Sequence, residues 1–336
     1  MSRLIASSRL RLPGPLRRRP TLEVHVPMSP TPSFLYQLRC LTHSLRRFGG
    51  AYRDSPVIAT VGGDPADERL ADRMPWLAAN GIELRWVPAE EFAALGLRAG
   101  VNRRLKHPYR SDVVLLLDAD TLIRRPLDDL IERVHRDQVL AGTIAHATPL
   151  PCGIKLERPD WARLFSHFGL PAPRLEYEHT GWGYMSTDPD YRFCPAYFNY
   201  GVIAAPASTI SRIGEMSECF MIGLRDVMAS HFDTQIALTM AIARLEVPVL
   251  TLPLRYNMPN NPHLEALHHA EVEHATVLHL LAEQHFRRTE TFASLASLEA
   301  FVARTDLRVV SLMAQEIIRA VLPDLISEER TAAIAT

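Results

Sequence analysis

The sequence is short of lysine, paired cysteines, net charge and long apolar runs. Lys106 and Lys155 are the only lysines, so arginine carries the positive charge. We read that as codon usage and attach no function to it. The four cysteines, Cys40, Cys152, Cys194 and Cys219, stand far apart with no CxxC pair. That spacing argues against a disulfide framework or a thiolate zinc site and fits reduced thiols in a cytoplasmic protein. Basic residues number 37 and acidic residues 38. Without a basic excess, nucleic acid is not an expected partner. The longest apolar runs, such as Val113 to Leu117, fall far short of the roughly 18 residues of a membrane span. The first twenty residues are Arg-rich and free of acids, and no apolar stretch follows them, which argues against a secretory signal. There is no internal repeat and no low-complexity tract. What remains is a chain of 336 residues, 47% hydrophobic and 22% charged, with the composition of a folded globular protein.

Residues 1–20 read as a disordered extension. Leu22 to Val26 alternates as a short strand and runs into the Pro- and Ser-rich loop Pro27 to Ser33. Phe34 to Phe48 has helical spacing closed by Gly49-Gly50. A second strand, Pro56 to Val61, ends at Gly62-Gly63-Asp64. A helix near Ala66 to Asn80, a strand at Ile82 to Val87 and a helical region from Glu90 to Tyr109 follow. Asp112 to Leu117 is the strongest strand, apolar at every position after the aspartate and therefore expected mid-sheet, buried on both faces. Four strands separated by helical patterns predict a parallel α/β arrangement. Beyond residue 150 the regular signals are a strand at Tyr197 to Ala205, a helix at Thr234 to Leu245, a strand at Val247 to Leu254, and a helical tail over 291–336.

The central strand runs into Asp118-Ala119-Asp120-Thr121. Ligands of open α/β sheets bind beyond the carboxyl ends of the strands, so two carboxylates stand at the mouth of the expected crevice. Carboxylates that close repel each other, and a divalent cation shared with a diphosphate relieves the repulsion.

Leu117 to Leu122 resembles the DxD metal motif of GT-A-fold glycosyltransferases, in particular the glycogenin and family-eight kind. Further segments follow in that family's order. Tyr197-Phe198-Asn199-Tyr200-Gly201-Val202 resembles its "FN-S-G-V" segment. Asp233-Thr234-Gln235-Ile236-Ala237-Leu238 resembles its "DQ-x-ALN" helix start, and Leu252 to Asn257 its "LP-x-x-YN" strand. Val277-Leu278-His279 resembles the strand whose terminal histidine completes the metal site. The resemblance spans about residues 22–290.

It implies a GT-A-like, Rossmann-related α/β fold with a mixed central sheet flanked by helices. One domain would span 21–290, with 21–150 binding the nucleotide sugar and 151–290 completing the acceptor and metal sites. The implied reaction moves a hexose from a nucleoside diphosphate sugar, UDP-linked by preference, to an acceptor hydroxyl. Asp118, Asp120 and His279 would hold manganese, or magnesium in its place, since mixed oxygen and nitrogen donors suit such an ion. Asn199, Asp233 and Gln235 would grip sugar hydroxyls at the reacting centre. The donor would lie against Val26, Met28 and Ser29, the acid pair with Ala119 between, Gly201, and the basic residues Arg103, Arg104 and Lys106. The family follows its metal histidine with a glycine and then a diphosphate-clamping lysine. Here both are replaced, which leaves Arg287 or Arg288 to supply the charge.

Asp118-Ala119-Asp120-Thr121 is also similar to the DxDxT of haloacid-dehalogenase-like phosphatases, where Asp118 would be a nucleophile. That group carries the motif on its first strand and needs a later GDxxxD, which is missing after residue 130. A third reading is a sugar-nucleotide-binding module that has lost turnover.

Overall fold

The computed structural model describes residues 18–62, 74–106, 108–149, 160–228, 232–281 and 286–335. Cys152, Lys155, His285, most of the N-terminal extension and most of the helix expected over 66–80 lie outside them, as do Gly63 and Asp64.

The main strands are β1 Leu22–Met28, β2 Val57–Val61, β3 Ile82–Trp86 and β4 Val113–Leu117. They are followed by β5 Thr121–Ile123, β6 Leu140–Ile144, β7 Tyr177–Glu178, β8 Phe193–Cys194 and β9 Phe198–Pro206. Last come β10 Val249–Thr251, β11 Met258–Pro259 and β12 Val277–His279. Seven of them form one sheet in the order β10-β6-β9-β4-β1-β2-β3. β3, β2, β1 and β4 run parallel, as four strands with helical crossovers must. β9 enters between β4 and β6, antiparallel to both, and makes the sheet mixed. The carboxyl ends of β1, β4 and β6 therefore share a rim with the amino end of β9.

The helices are α1 Pro32–Phe48, α2 Trp76–Ala79, α3 Ala89–Leu95, α4 Leu97–Arg103 and α5 Asp128–Asp137. Next are α6 Trp161–His167, α7 Ala207–Val227, α8 Asp233–Arg244, α9 Pro262–Leu267 and α10 His269–Val272. The chain ends with α11 Arg288–Thr291, α12 Leu295–Val302 and α13 Val309–Ala335. Strand side chains alternate between faces, and β4 shows why all five of its residues must be apolar. Val113, Leu115 and Leu117 join α1 and α5 in one core, while Val114 and Leu116 join α7 and α8 in the other. A third core packs α12 and α13 on a small sheet, β11-β12-β5, through Leu122, Leu278, Phe301 and Ile318.

Several local expectations shift. β1 runs on to Met28 although it contains Pro27, because pairing with β4 stops at His25 and no ladder bond is asked of that side. The helical region expected over Glu90 to Tyr109 is two short helices split at Gly96, whose φ of 61° suits glycine, and it ends at Arg103. The strand expected over Val247 to Leu254 keeps only its middle, since a single helical turn begins at Leu254. Cys40 and Cys194 are buried, and burial pushes both thiols up to about 12, so they are inert. Among the described residues no helix is long and apolar enough to cross a membrane.

The last helix is latched by charge. Arg39 of α1 is buried and holds Glu329 at 2.7 Å and Glu328 at 2.9 Å, while His43 and Asn80 also reach Glu328. Burial alone would raise both carboxyls, yet these partners hold them below their ordinary values. Depressed carboxyls stabilise the fold above their unfolded value of 4.5, and the benefit disappears as pH falls through the lower folded values. Arg39→Met should cost about 2 kcal/mol in urea unfolding at neutral pH, allowing for the partial exposure of Glu329. The deficit should shrink at about pH 3, where the wild type has lost the same attraction. An equal deficit at both pH values would assign the effect to packing.

Candidate active site

The ladder of β4 ends at Leu117. Asp118 N–H donates to Gly201 O at 3.2 Å, and Thr121 donates to Asp118 O through its amide at 3.1 Å and its hydroxyl at 2.8 Å. This turn sets Asp118, Ala119 and Asp120 on the rim and sends the chain into β5. β5 pairs antiparallel with β12 in a register that puts His279 opposite Thr121. The imidazole Nε2 then lies 3.3 Å from Asp120 Oδ1 and 3.9 Å from Asp118 Oδ2. One ligand atom from each of the three lies within 4.8 Å of the others, and among the described residues no second such group occurs.

A relay of amides fixes the imidazole. Gly201 N–H donates to Asn199 Oδ1 at 2.8 Å, which requires an oxygen there. Asn257 Nδ2 donates to the same oxygen at 3.0 Å, so Asn257 turns its own Oδ1 to His279 Nδ1, also at 3.0 Å. An amide oxygen only accepts, so Nδ1 carries a proton and Nε2 is the atom offered to the acids. Gly201 makes the room: a Cβ there would stand 2.6 Å from His279 Cε1 and 2.7 Å from Asn257 Oδ1.

Asp120 and His279 are buried, Asp118 half-buried. Burial opposes charge on the first two, but their mutual attraction prevails, with Arg288 Nη1 bonded to Asp120 Oδ2. Asp120 is held below the usual carboxylate range and His279 above the usual imidazole range. Arg104 is wholly enclosed, over the Tyr200 ring at 5.1 Å. It donates to Leu117 O at 3.0 Å and reaches Asp118 Oδ1 at 3.4 Å, so it steadies the first acid from behind.

These groups open on a cavity of about 480 Å3, walled by Met28, Ser29, Phe34, Asp118, Ala119, Asp120, Asn199, Phe232, Gln235, His279 and Arg288 among others. Other residues expected at the site stand elsewhere. Val26 points into the core under α1, because it shares the inward face of β1 with Val24. Asp233 spans α8 and α4, accepting from Thr234 N at 2.8 Å and pairing with Arg98 at 3.2 Å. Arg103 pairs with Glu91 at 3.4 Å, Lys106 with Glu218 on α7, and Arg287 with Glu290 at 3.0 Å in solvent. Their neighbours Arg104 and Arg288 face the acids instead. Gly201 lies behind the wall, under His279.

Sequence reasoning missed His146, which lines the cavity just past β6. β6 is short and carries Gly142 and Thr143, so the strand that leads to His146 shows little apolar pattern in the sequence.

Two carboxylates and one oriented imidazole form a donor set that fits a divalent cation. The histidine has the outer-shell partner that metal-bound imidazoles require.

No family model matches the sequence, and neither does any curated protein. Solved structures do match. The galactosyltransferase LgtC, solved with donor and acceptor sugar analogues, is 18% identical, with 78% of this chain and 87% of that chain covered at a TM-score of 0.51. Mouse xyloside xylosyltransferase 1, in its apo form, is 13% identical, with 77% and 96% covered at a TM-score of 0.43. The LgtC match shows that the chain has the GT-A glycosyltransferase fold, as the sequence resemblance implied.

Proposed function

We propose that this chain is a metal-dependent glycosyltransferase that moves a hexose from a UDP-linked donor to an acceptor hydroxyl. One observation carries the reading: Asp118, Asp120 and His279 converge in the wall of a cavity of about 480 Å3, on the carboxyl rim of a GT-A sheet. The LgtC structure with this fold was solved with donor and acceptor sugar analogues.

Asp118, Asp120 and His279 would hold manganese or magnesium, which supplies positive charge to the departing diphosphate. Arg288 hangs over the same acids, and its guanidinium can grip a phosphate in bidentate fashion, replacing the family's lysine. Asn199 uses its oxygen internally, so Gln235 is the wall amide with donor and acceptor capacity for sugar hydroxyls. Met28, Ser29 and Phe34 form the end of the cavity that suits the nucleoside. The phosphatase reading fares worse, because β4 is the fourth strand and the third partner of its acids is an imidazole.

Thermal melting with UDP-glucose or UDP-galactose tests the reading. A donor bound only by the folded chain raises stability by about 2.7 kcal/mol at a hundredfold excess over Kd. The rise should require manganese and be accompanied by release of UDP. A rise without UDP release, with or without an acceptor, would favour a binding module. No rise with any nucleotide sugar would sink the reading.

A further inference from the structure

His146 is unassigned in this scheme, and its surroundings define it closely. The residue follows β6, and its backbone carbonyl accepts from Gly181 N–H at 2.9 Å. A Cβ at Gly181 would stand 2.6 Å from that carbonyl, so the 181 loop is pressed against it. The ring nitrogen Nδ1 lies 2.7 Å from Thr180 Oγ1. That hydroxyl donates its only proton to Ile144 O at 3.2 Å, so it must accept from His146 Nδ1–H. Thr180 is itself anchored, its carbonyl accepting from His268 Nε2 at 2.6 Å. The tautomer is thereby fixed, and Nε2 carries a lone pair. Burial, with His279, His268 and His179 nearby, brings this imidazole down to about 4, so it stays neutral and accepting at neutral pH.

Nε2 is buried and has no partner within the protein, although His146 is one of the residues that line the cavity. An acceptor left unpaired out of water is costly, and a substrate donor would satisfy it. Its position along the rim says which substrate. The sheet order β1-β4-β9-β6 places Met28 and Ser29 at one end, the acids next, Asn199 beyond them and His146 at the far end. Three strand spacings put about 14 Å between the two ends. A nucleoside at β1 and a diphosphate at the acids leave the β6 end for the acceptor.

We propose that His146 is an acceptor-positioning residue, whose Nε2 accepts a hydrogen bond from a hydroxyl of the acceptor sugar. The assignment rests on the transferase reading, and its test separates the two.

His146→Phe keeps an aromatic ring and removes the acceptor atom, whereas His146→Gln restores a polar end. UDP-glucose and UDP-galactose serve as donors with manganese, and methyl glucoside, methyl galactoside and lactose as acceptor probes. H146F should raise the acceptor KM about tenfold or more, while the donor-induced melting rise keeps its size. H146Q should recover most of that loss. Loss of the donor-induced rise in H146F, or an unmoved acceptor KM, would overturn the assignment. So would a wild type that answers to donor yet transfers to none of these pyranosides. A wild type with no response to any donor would overturn the transferase reading itself.

Discussion

Asp120→Asn should lower metal-dependent UDP release by at least about a thousandfold while the chain still folds. Charge neutralisation by a bound metal contributes several kcal/mol to such a transition state, and each 1.36 kcal/mol is a factor of ten. Asparagine keeps the shape and one acceptor oxygen but gives up the charge that Asp118 alone cannot replace. The fold should tolerate it because Arg288, the partner left over, is partly exposed and can turn to water. The pKa of His279 should then fall, since burial pulls it down and Asp120 is the main attraction holding it up. Two measurements check this: UDP release against manganese concentration, and the manganese-dependent part of the donor-induced melting rise. Unchanged turnover would remove the acid pair from the mechanism.

The acid pair was legible because physics leaves few alternatives for five consecutive apolar residues followed by two acids. Such a strand needs cover on both faces, so it lies mid-sheet and its end lies on the rim. His279 was legible only through the family's order of segments. Six histidines fall between His263 and His285, and what singles one out is the β5–β12 register. The choice between Arg287 and Arg288, or between Arg103 and Arg104, was not legible. Adjacent helical residues point about 100° apart, so a one-residue uncertainty in where a short helix lies exchanges the solvent-facing arginine for the site-facing one. α7 went unread although its buried positions, Ile210, Ile213, Gly214, Ser217, Phe220, Met221, Leu224 and Val227, keep helical spacing. Two of those eight are a glycine and a serine, which blur an apolar stripe. His146 was hidden for a different reason: nothing local in the sequence says that β6 lies beside β9.

Gly201→Ala should reduce manganese affinity about a hundredfold without altering any ligand. Gly201 owes its place to space and not to backbone freedom, since it lies in β9 with an ordinary strand conformation. The new methyl would meet His279 and Asn257 together, on the side where the amide relay holds Nδ1. The imidazole must then swing or the Asn257 bond must break, and loss of an outer-shell partner costs roughly 10–100-fold in metal affinity. Forcing a methyl into this packing should also cost about 1–3 kcal/mol in unfolding. Because the ligand is displaced and not removed, excess manganese should recover much of the activity of G201A, whereas D120N should stay inactive at any concentration. That contrast separates the two roles: one residue supplies charge, the other supplies the room in which a neighbour points the right way. If G201A bound manganese as the wild type does, the imidazole of His279 would not be a ligand, and the site would reduce to the two acids.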